Sequence, residues 1–275
     1  MKGQVVVNVP TAKRLIAQAV YGLPEVRAAA GRGKIILKSG TTVAALAELF
    51  GAPPLRLGGR ITPDGARTAG RRVDAPHIVL IEGGRWRCVD RNLAEELAAL
   101  GPDDLFITGA NALDSQGGAA LMAGLSGGGA AGGALGMLYS EGVRTIIAVG
   151  MEKLVPGSIA DICRQAGRAR VDKAMGMAVG LMPLFGRVVT EKEALAILTG
   201  AAVTVIGAGG LSGAEGATVM LVEGTAAQVD KAFALIAAQL GRPTAGAADS
   251  LPSCGRGGVA CASHTGCIYR PGERL

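Results

Sequence analysis

Aromatic residues are scarce. One Trp, three Tyr and four Phe make up 3% of the 275 residues, against a hydrophobic share of 49%. The core must therefore be packed from Val, Ile, Leu, Ala and Met. A stacking platform for nucleic acid, which interleaves rings with basic residues, is not encoded. No apolar run approaches the ~20 residues that span a bilayer. Residues 1–10 lack the charged start, long apolar stretch and small-residue cleavage site of a secretory signal. Five cysteines is an odd number, which argues against a secreted disulfide framework. These absences lead us to expect a cytoplasmic protein without a nucleic-acid or membrane partner.

Glycine, in contrast, is abundant. Its 44 positions are more than twice the average share, and they cluster at segment ends, where positive φ or close backbone approach is needed. The formal charge of +6 and pI near 9.3 favour an anionic partner such as a nucleotide, phosphate or carboxylate.

Short apolar runs alternate with helical periodicity along the first two thirds of the chain. Leu15, Ile16, Ala19 and Val20 form a helical stripe within Ala12–Ala30, which Pro24 divides. Lys34–Lys38 is a strand candidate, Val43–Phe50 a helix, and Leu55–Gly65 a strand and turn. Ala75–Ile81 and Arg85–Val89 form a strand pair through Gly83-Gly84. Asn92–Leu100 is a helix, Leu105–Thr108 a strand, the Gly/Ala tract opens a helix ending near Glu141, and Thr145–Val149 is a strand. This alternation predicts an α/β fold whose mostly parallel sheet is covered on both faces, with ligands bound outside the carboxyl ends of its strands. The rhythm then changes to helix, strand, glycine turn, strand and helix between Glu191 and Leu240. We read three units: an α/β core over 1–185, a small α+β, ferredoxin-like, lid-like subdomain over 186–241, and a cysteine-containing extension over 242–275.

Several segments carry residues suited to chemistry. Lys38-Ser39-Gly40-Thr41-Thr42 lies between a strand and a helix. Unpaired N–H groups and the helix dipole favour an anion there, with hydroxyls and the lysine adding donors; the same residues also suit an ordinary helix cap. Gly109 opens the next turn, in which Asn111 and Asp114 are candidates for acid–base work or for turn formation. Gly128 and Gly129, within Ser126–Gly133, are candidates for an anion-binding nest or for tight helix packing. Glu152 and Lys153 follow a buried strand and either face a pocket or form a surface pair. Glu215, in the long glycine loop of the hairpin, is placed to reach into a site from above. Gly207-Ala-Gly-Gly-Leu-Ser212 precedes a strand, which excludes a dinucleotide fingerprint, and no P-loop is present. Cys254, Cys261, His264 and Cys267 crowd into fourteen residues. They suit a Zn site, an iron–sulfur cluster, a redox-active thiol group or a disulfide.

Lys34–Leu49 resembles the strand–turn–helix element of the ribose phosphate isomerase and CoA-transferase superfamily, and Ile107-Thr-Gly-Ala-Asn-Ala-Leu-Asp114 its second signature turn. Ala148-Val-Gly-Met-Glu-Lys-Leu-Val-Pro156 is similar to an element of its lactate-utilisation branch. The likeness spans residues 12–160, and Ala12–Leu240 also resembles a group of prokaryotic proteins. It implies a three-layer α/β/α fold that binds sugar phosphates, CoA esters or related anions, with Ser39, Gly40, Thr41 and Thr42 on the anion. Members often associate, so a homo-oligomer is expected. Asn111 replaces the aspartate of the signature turn, and no nucleophilic glutamate of a CoA-transferase stands in place, so neither parent activity is implied. The functions expected are an isomerase- or transferase-like enzyme of an anionic metabolite, a non-catalytic sensor of the same fold, or an iron–sulfur or redox accessory protein related to lactate utilisation.

Overall fold

A computed structural model describes residues 1–70, 72–255 and 261–269. In chain order the strands and helices are β1 (Lys2–Val7), α1 (Val9–Gly22), α2 (Pro24–Arg32), β2 (Lys34–Lys38), α3 (Thr41–Leu49), β3 (Arg60–Thr62), β4 (Gly65–Arg67), β5 (Ile78–Glu82), β6 (Arg85–Cys88), α4 (Leu93–Ala98), β7 (Leu105–Thr108), β8 (Ala112–Leu113), β9 (Ala119–Ala123), α5 (Gly129–Ser140), β10 (Arg144–Ala148), α6 (Ile159–Gln165), β11 (Gly180–Leu184), β12 (Arg187–Val189), α7 (Glu191–Thr199), β13 (Ala202–Gly209), β14 (Ala217–Glu223) and α8 (Ala226–Ala237).

The protein has an α/β fold organised around a six-stranded sheet in the order β12-β10-β7-β2-β5-β6. The first four strands run parallel, β5 runs antiparallel to β2 and β6 antiparallel to β5, so the sheet is mixed. Gly83 and Gly84, with φ of +54° and +71°, supply the two left-handed residues of a tight hairpin, which turns β6 back antiparallel to β5. Side chains alternate between the two faces. Ile35 and Leu37 of β2, Ile107 of β7 and Ile146 of β10 join one buried cluster with α1, α2 and α3. Ile36, Phe106 and Ile147 join another with Leu97 of α4 and Leu138 of α5. Burial on both faces explains why these strands read as continuous apolar runs.

The expected unit boundary at 185/186 does not follow the strand pairing. β12 belongs to the six-stranded sheet, while β1, at the start of the chain, pairs antiparallel along its whole length with β14. The hairpin of β13 and β14 thus becomes a three-stranded sheet, and its Val203, Met220 and Val222 pack into the first cluster with Val229 of α8 and Leu195 of α7. Capping boxes at Thr190 and Thr225 fix the starts of α7 and α8.

The Gly/Ala tract contains a strand that its composition conceals. β9 pairs with β11 and β8 in a separate antiparallel sheet, although Ala, Leu and Met are not strand formers. The extension after 242 is tied down where it is described. Ala247 N–H donates to the Leu55 carbonyl, Leu57 N–H to Ser250 Oγ, and Cys254 N–H to the Thr68 carbonyl. Residues 256–260 and 270–275 lie outside the described residues. Among the described residues, no helix is long and apolar enough to cross a membrane.

Candidate functional site

Because β2, β7, β10 and β12 are parallel and adjacent, the turns that follow them share one edge of the sheet. Lys38 to Thr42, Gly109 to Asn111, Gly150 to Lys153 and Thr190-Glu191 therefore form a row, with neighbouring strands ~4.8 Å apart. The helices α3 and α7 begin on this edge, so their N-terminal dipoles favour negative charge there.

At the β2 end, α3 starts behind Gly40 without a side-chain cap. Ser39 is buried and its Oγ has no hydrogen-bond partner among the described residues; Thr42, in the first turn of α3, is also buried. Burial pushes the Lys38 ammonium down to about 8. Asp90 accepts from the N–H groups of His77 and Ile78 and from Arg56 Nη2 at 3.1 Å. His77 Nδ1 lies 2.9 Å from the Arg56 carbonyl. A carbonyl only accepts, so Nδ1 carries the proton and Nε2 keeps its lone pair. Burial, followed by the Lys38 charge, pushes His77 down to about 4.

Further along the edge stands a group of four charges. Lys13 Nζ lies 3.3 Å from Glu152 Oε1, and Lys153 Nζ lies 4.0 Å from the same oxygen. Both Glu152 oxygens are buried and neither has a hydrogen bond among the described residues. Room for this carboxylate is made by glycines. A Cβ on Gly150 would stand 1.9 Å from Glu152 Oε2, and one on Gly216, at the end of the hairpin loop, would stand 3.0 Å from Glu152 Cβ. Glu191, the first residue of α7, is 1% exposed. It accepts from Met151 N–H at 2.9 Å and from the Thr218 hydroxyl at 3.3 Å. Burial and the neighbouring Glu152 nonetheless push it up to about 7. Burial, with help from Lys153, lowers Lys13. Thr11 Oγ1, two residues before Lys13 on α1, is also buried without a partner among the described residues.

No protein-family model, curated protein or solved structure matches this chain.

Several expected site residues serve the architecture instead. Asp114 accepts three backbone N–H groups, from Gln116, Gly118 and Ile159 at 2.7–2.9 Å, and that of Ile159 leads in holding its carboxyl below the usual range. An acceptor so occupied staples the turn. Asn111 stitches its turn to β9, donating N–H to the Ala120 carbonyl and accepting Met122 N–H on Oδ1. Gly127, Gly128 and Gly129 all have positive φ, whereas a nest alternates right- and left-handed residues. Their loop folds tightly instead, since a Cβ on Gly128 would meet Met182 Sδ at 2.4 Å and one on Gly132 would meet the Gly127 carbonyl at 1.7 Å. Glu215 is exposed and folds back to accept Gly213 N–H in its own loop. Gly109 faces only the Ala148 carbonyl, at 3.5 Å from a Cβ. Among the described residues, no three His, Cys, Asp or Glu side chains gather as metal ligands, Cys254, Cys261, His264 and Cys267 included. All five cysteines are free.

Lys13 and Glu191 carried no sequence signal of a site. Each sits in a helical pattern whose partner is decided only by packing. A cavity of about 730 Å³ opens at the opposite end of the strands, by Leu105, Arg144, Phe185 and Arg187. Its charges are spoken for, because Arg187 pairs with Glu25 and Arg144 donates to the Asp103 carbonyl.

Proposed function

We propose that the protein binds an anionic small metabolite, phosphorylated or carboxylated, at the turn between β2 and α3, and acts on it in the cytoplasm as an isomerase- or transferase-like enzyme. The observation that carries this reading is Lys38. It is a desolvated cation that makes no ion pair among the described residues, at the strand end that leads through an unpartnered Ser39 hydroxyl into an uncapped helix start. Leaving a cation and a hydroxyl unsatisfied costs stability, and a bound anion repays that cost. Lys13, Glu152 and Glu191 stand two to three strand spacings away, roughly 10–15 Å, and supply groups able to give and take protons. The resemblance to the ribose phosphate isomerase and CoA-transferase superfamily supports the same edge. The fold that accompanies it is a three-layer α/β/α arrangement, supported by the apolar side chains buried on both faces of the six-stranded sheet.

A ligand-induced rise in melting temperature tests the reading. Inorganic phosphate, sugar phosphates, acyl-CoAs and hydroxy acids are compared on the native chain, on Lys38→Met and on a Thr41→Ala/Thr42→Ala variant. Stabilisation that survives in both variants would sink the site. A non-catalytic sensor is the second reading, favoured by the structural commitment of Asn111 and Asp114. It predicts binding without any turnover of the ligand that stabilises best.

A further inference from the structure

We infer that Cys254 is a modification site selected by charge: its thiol exchanges with an anionic disulfide that Arg60 and Arg67 draw to it. The ligand class is a disulfide bearing carboxylates, as in oxidised glutathione. None of these residues belongs to the row of turns on the sheet edge, so this site stands apart from the one between β2 and α3.

The hairpin of β3 and β4 sets Arg60 directly opposite Arg67, and like charges so placed repel. Neither arginine forms an ion pair among the described residues, where the titratable side chains acting on them are Cys254 and Tyr269. Their donors reach neutral groups instead. Arg60 Nη2 donates to the Leu251 carbonyl and, at 3.2 Å, to Ser253 Oγ. Arg67 Nη1 donates at 2.7 Å to the carbonyl of Cys254 itself. Carbonyls satisfy N–H groups without cancelling charge. Tyr269 fixes Arg67, whose guanidinium carbon lies 3.8 Å from the ring centroid. Arg67 is 8% exposed, and its Nε, like Arg60 Nη1, is buried with no hydrogen-bond partner among the described residues. Two opposed cations with unused donors thus stand beside a thiol that is free and half-buried. Fastening the extension needs neither the opposed charges nor the unused donors, whereas reactive thiols occupy such electropositive, partly exposed places.

The step balances with the disulfide as the oxidant. Cys254 Sγ attacks one sulfur of the ligand, a new S–S bond forms to it, and the ligand's own S–S bond breaks. The departing sulfur takes the electron pair and the proton that Cys254 gave up, and leaves as a free thiol. Cys254 is oxidised to a mixed disulfide, and half of the ligand is reduced.

Timed labelling of the full chain tests this. Oxidised glutathione is the anionic probe, and cystamine, a disulfide carrying two ammonium groups, is the control. Peptide mapping follows each cysteine. Cys88 is the internal reference, because it is exposed and its neighbour Arg87 is offset by Glu82 and Glu96. The ratio of the glutathione rate to the cystamine rate should be about tenfold higher at Cys254 than at Cys88. Arg60→Met should bring the two ratios together. On the native chain, raising the ionic strength from ~0.01 M to ~1 M cuts the screening length from about 30 Å to about 3 Å and should do the same. Equal ratios at both cysteines in low salt would overturn the assignment. So would a preference at Cys254 that salt leaves unchanged, or labelling of Cys88 by oxidised glutathione while Cys254 stays unmodified.

Discussion

Glu191 and His77 are buried at different strand ends, and their protons work against each other. Glu191 is pushed up from 4.5 to about 7 in the folded protein. Between those values the folded state keeps a proton that the unfolded chain has released, so stability falls as pH rises. His77 is pushed down from 6.5 to about 4. Between those values the unfolded chain takes up a proton that the folded state refuses, so stability rises with pH. Each group contributes a slope of up to ~1.4 kcal/mol per pH unit. From pH 4.5 to 6.5 the two slopes nearly cancel. Glu191→Gln removes the falling component, so its stability relative to the parent chain should climb by about 2 kcal/mol across that window. His77→Gln should show the mirror image, and the double variant should again run level with the parent. Urea denaturation midpoints at pH 4.5, 5.5 and 6.5 read this directly. Stability curves for the single variants that run parallel to the parent's would refute the reasoning, because they would mean that neither proton is linked to folding.

Two further outcomes are expected. Gly150 has φ of −79°, which any residue adopts, so Gly150→Ala should be costly only because its methyl displaces the Glu152 carboxylate from Lys13. The loss should be about 1–3 kcal/mol in the native chain and fall below about 0.5 kcal/mol in a Glu152→Ala background; equal losses in chemical denaturation would contradict this. Asp114→Ala strips three backbone N–H groups of their acceptor and should cost about 2–3 kcal/mol. Hydrogen exchange should quicken at Gly118 and Ile159, and unchanged protection there would show that the carboxylate is not what holds the turn.

How much of this was legible depended on how local the signal was. Lys34–Lys38, the break at Pro24 and the Gly83-Gly84 hairpin are written in neighbouring residues, and each appears where the sequence places it. β9 was hidden because Ala119, Ala120 and Ala123 carry no strand preference; pairing with β8 and β11 makes the strand. The β2–α3 turn was recognisable as a strand end opening a helix, but that Lys38 makes no ion pair among the described residues could not be read, because the side chains packed around it are set by tertiary structure. Lys13 and Glu191 were invisible for a related reason, since their encounter with Glu152 brings together α1, α7 and the turn after β10. Asn111 and Asp114 show the opposite failure. Residue types that suit catalysis equally suit turns, and only their bonds to Met122, Gly118 and Ile159 separate the two roles.

The pairing of β1 with β14 sets a timetable for synthesis. The partners stand about 210 residues apart in the chain, so at ~5–20 residues per second the ribosome needs roughly 10–40 s between making one and the other. During that interval the hydrogen-bonding edge of Lys2–Val7 has no mate. Val5 and Val7, which end buried in one cluster with Val229 of α8, stay uncovered, and α1 waits beside them without α7, one of the helices that flank it. The newborn chain therefore passes through a stage in which its first strand is free to pair with the same strand of a neighbour on the same messenger.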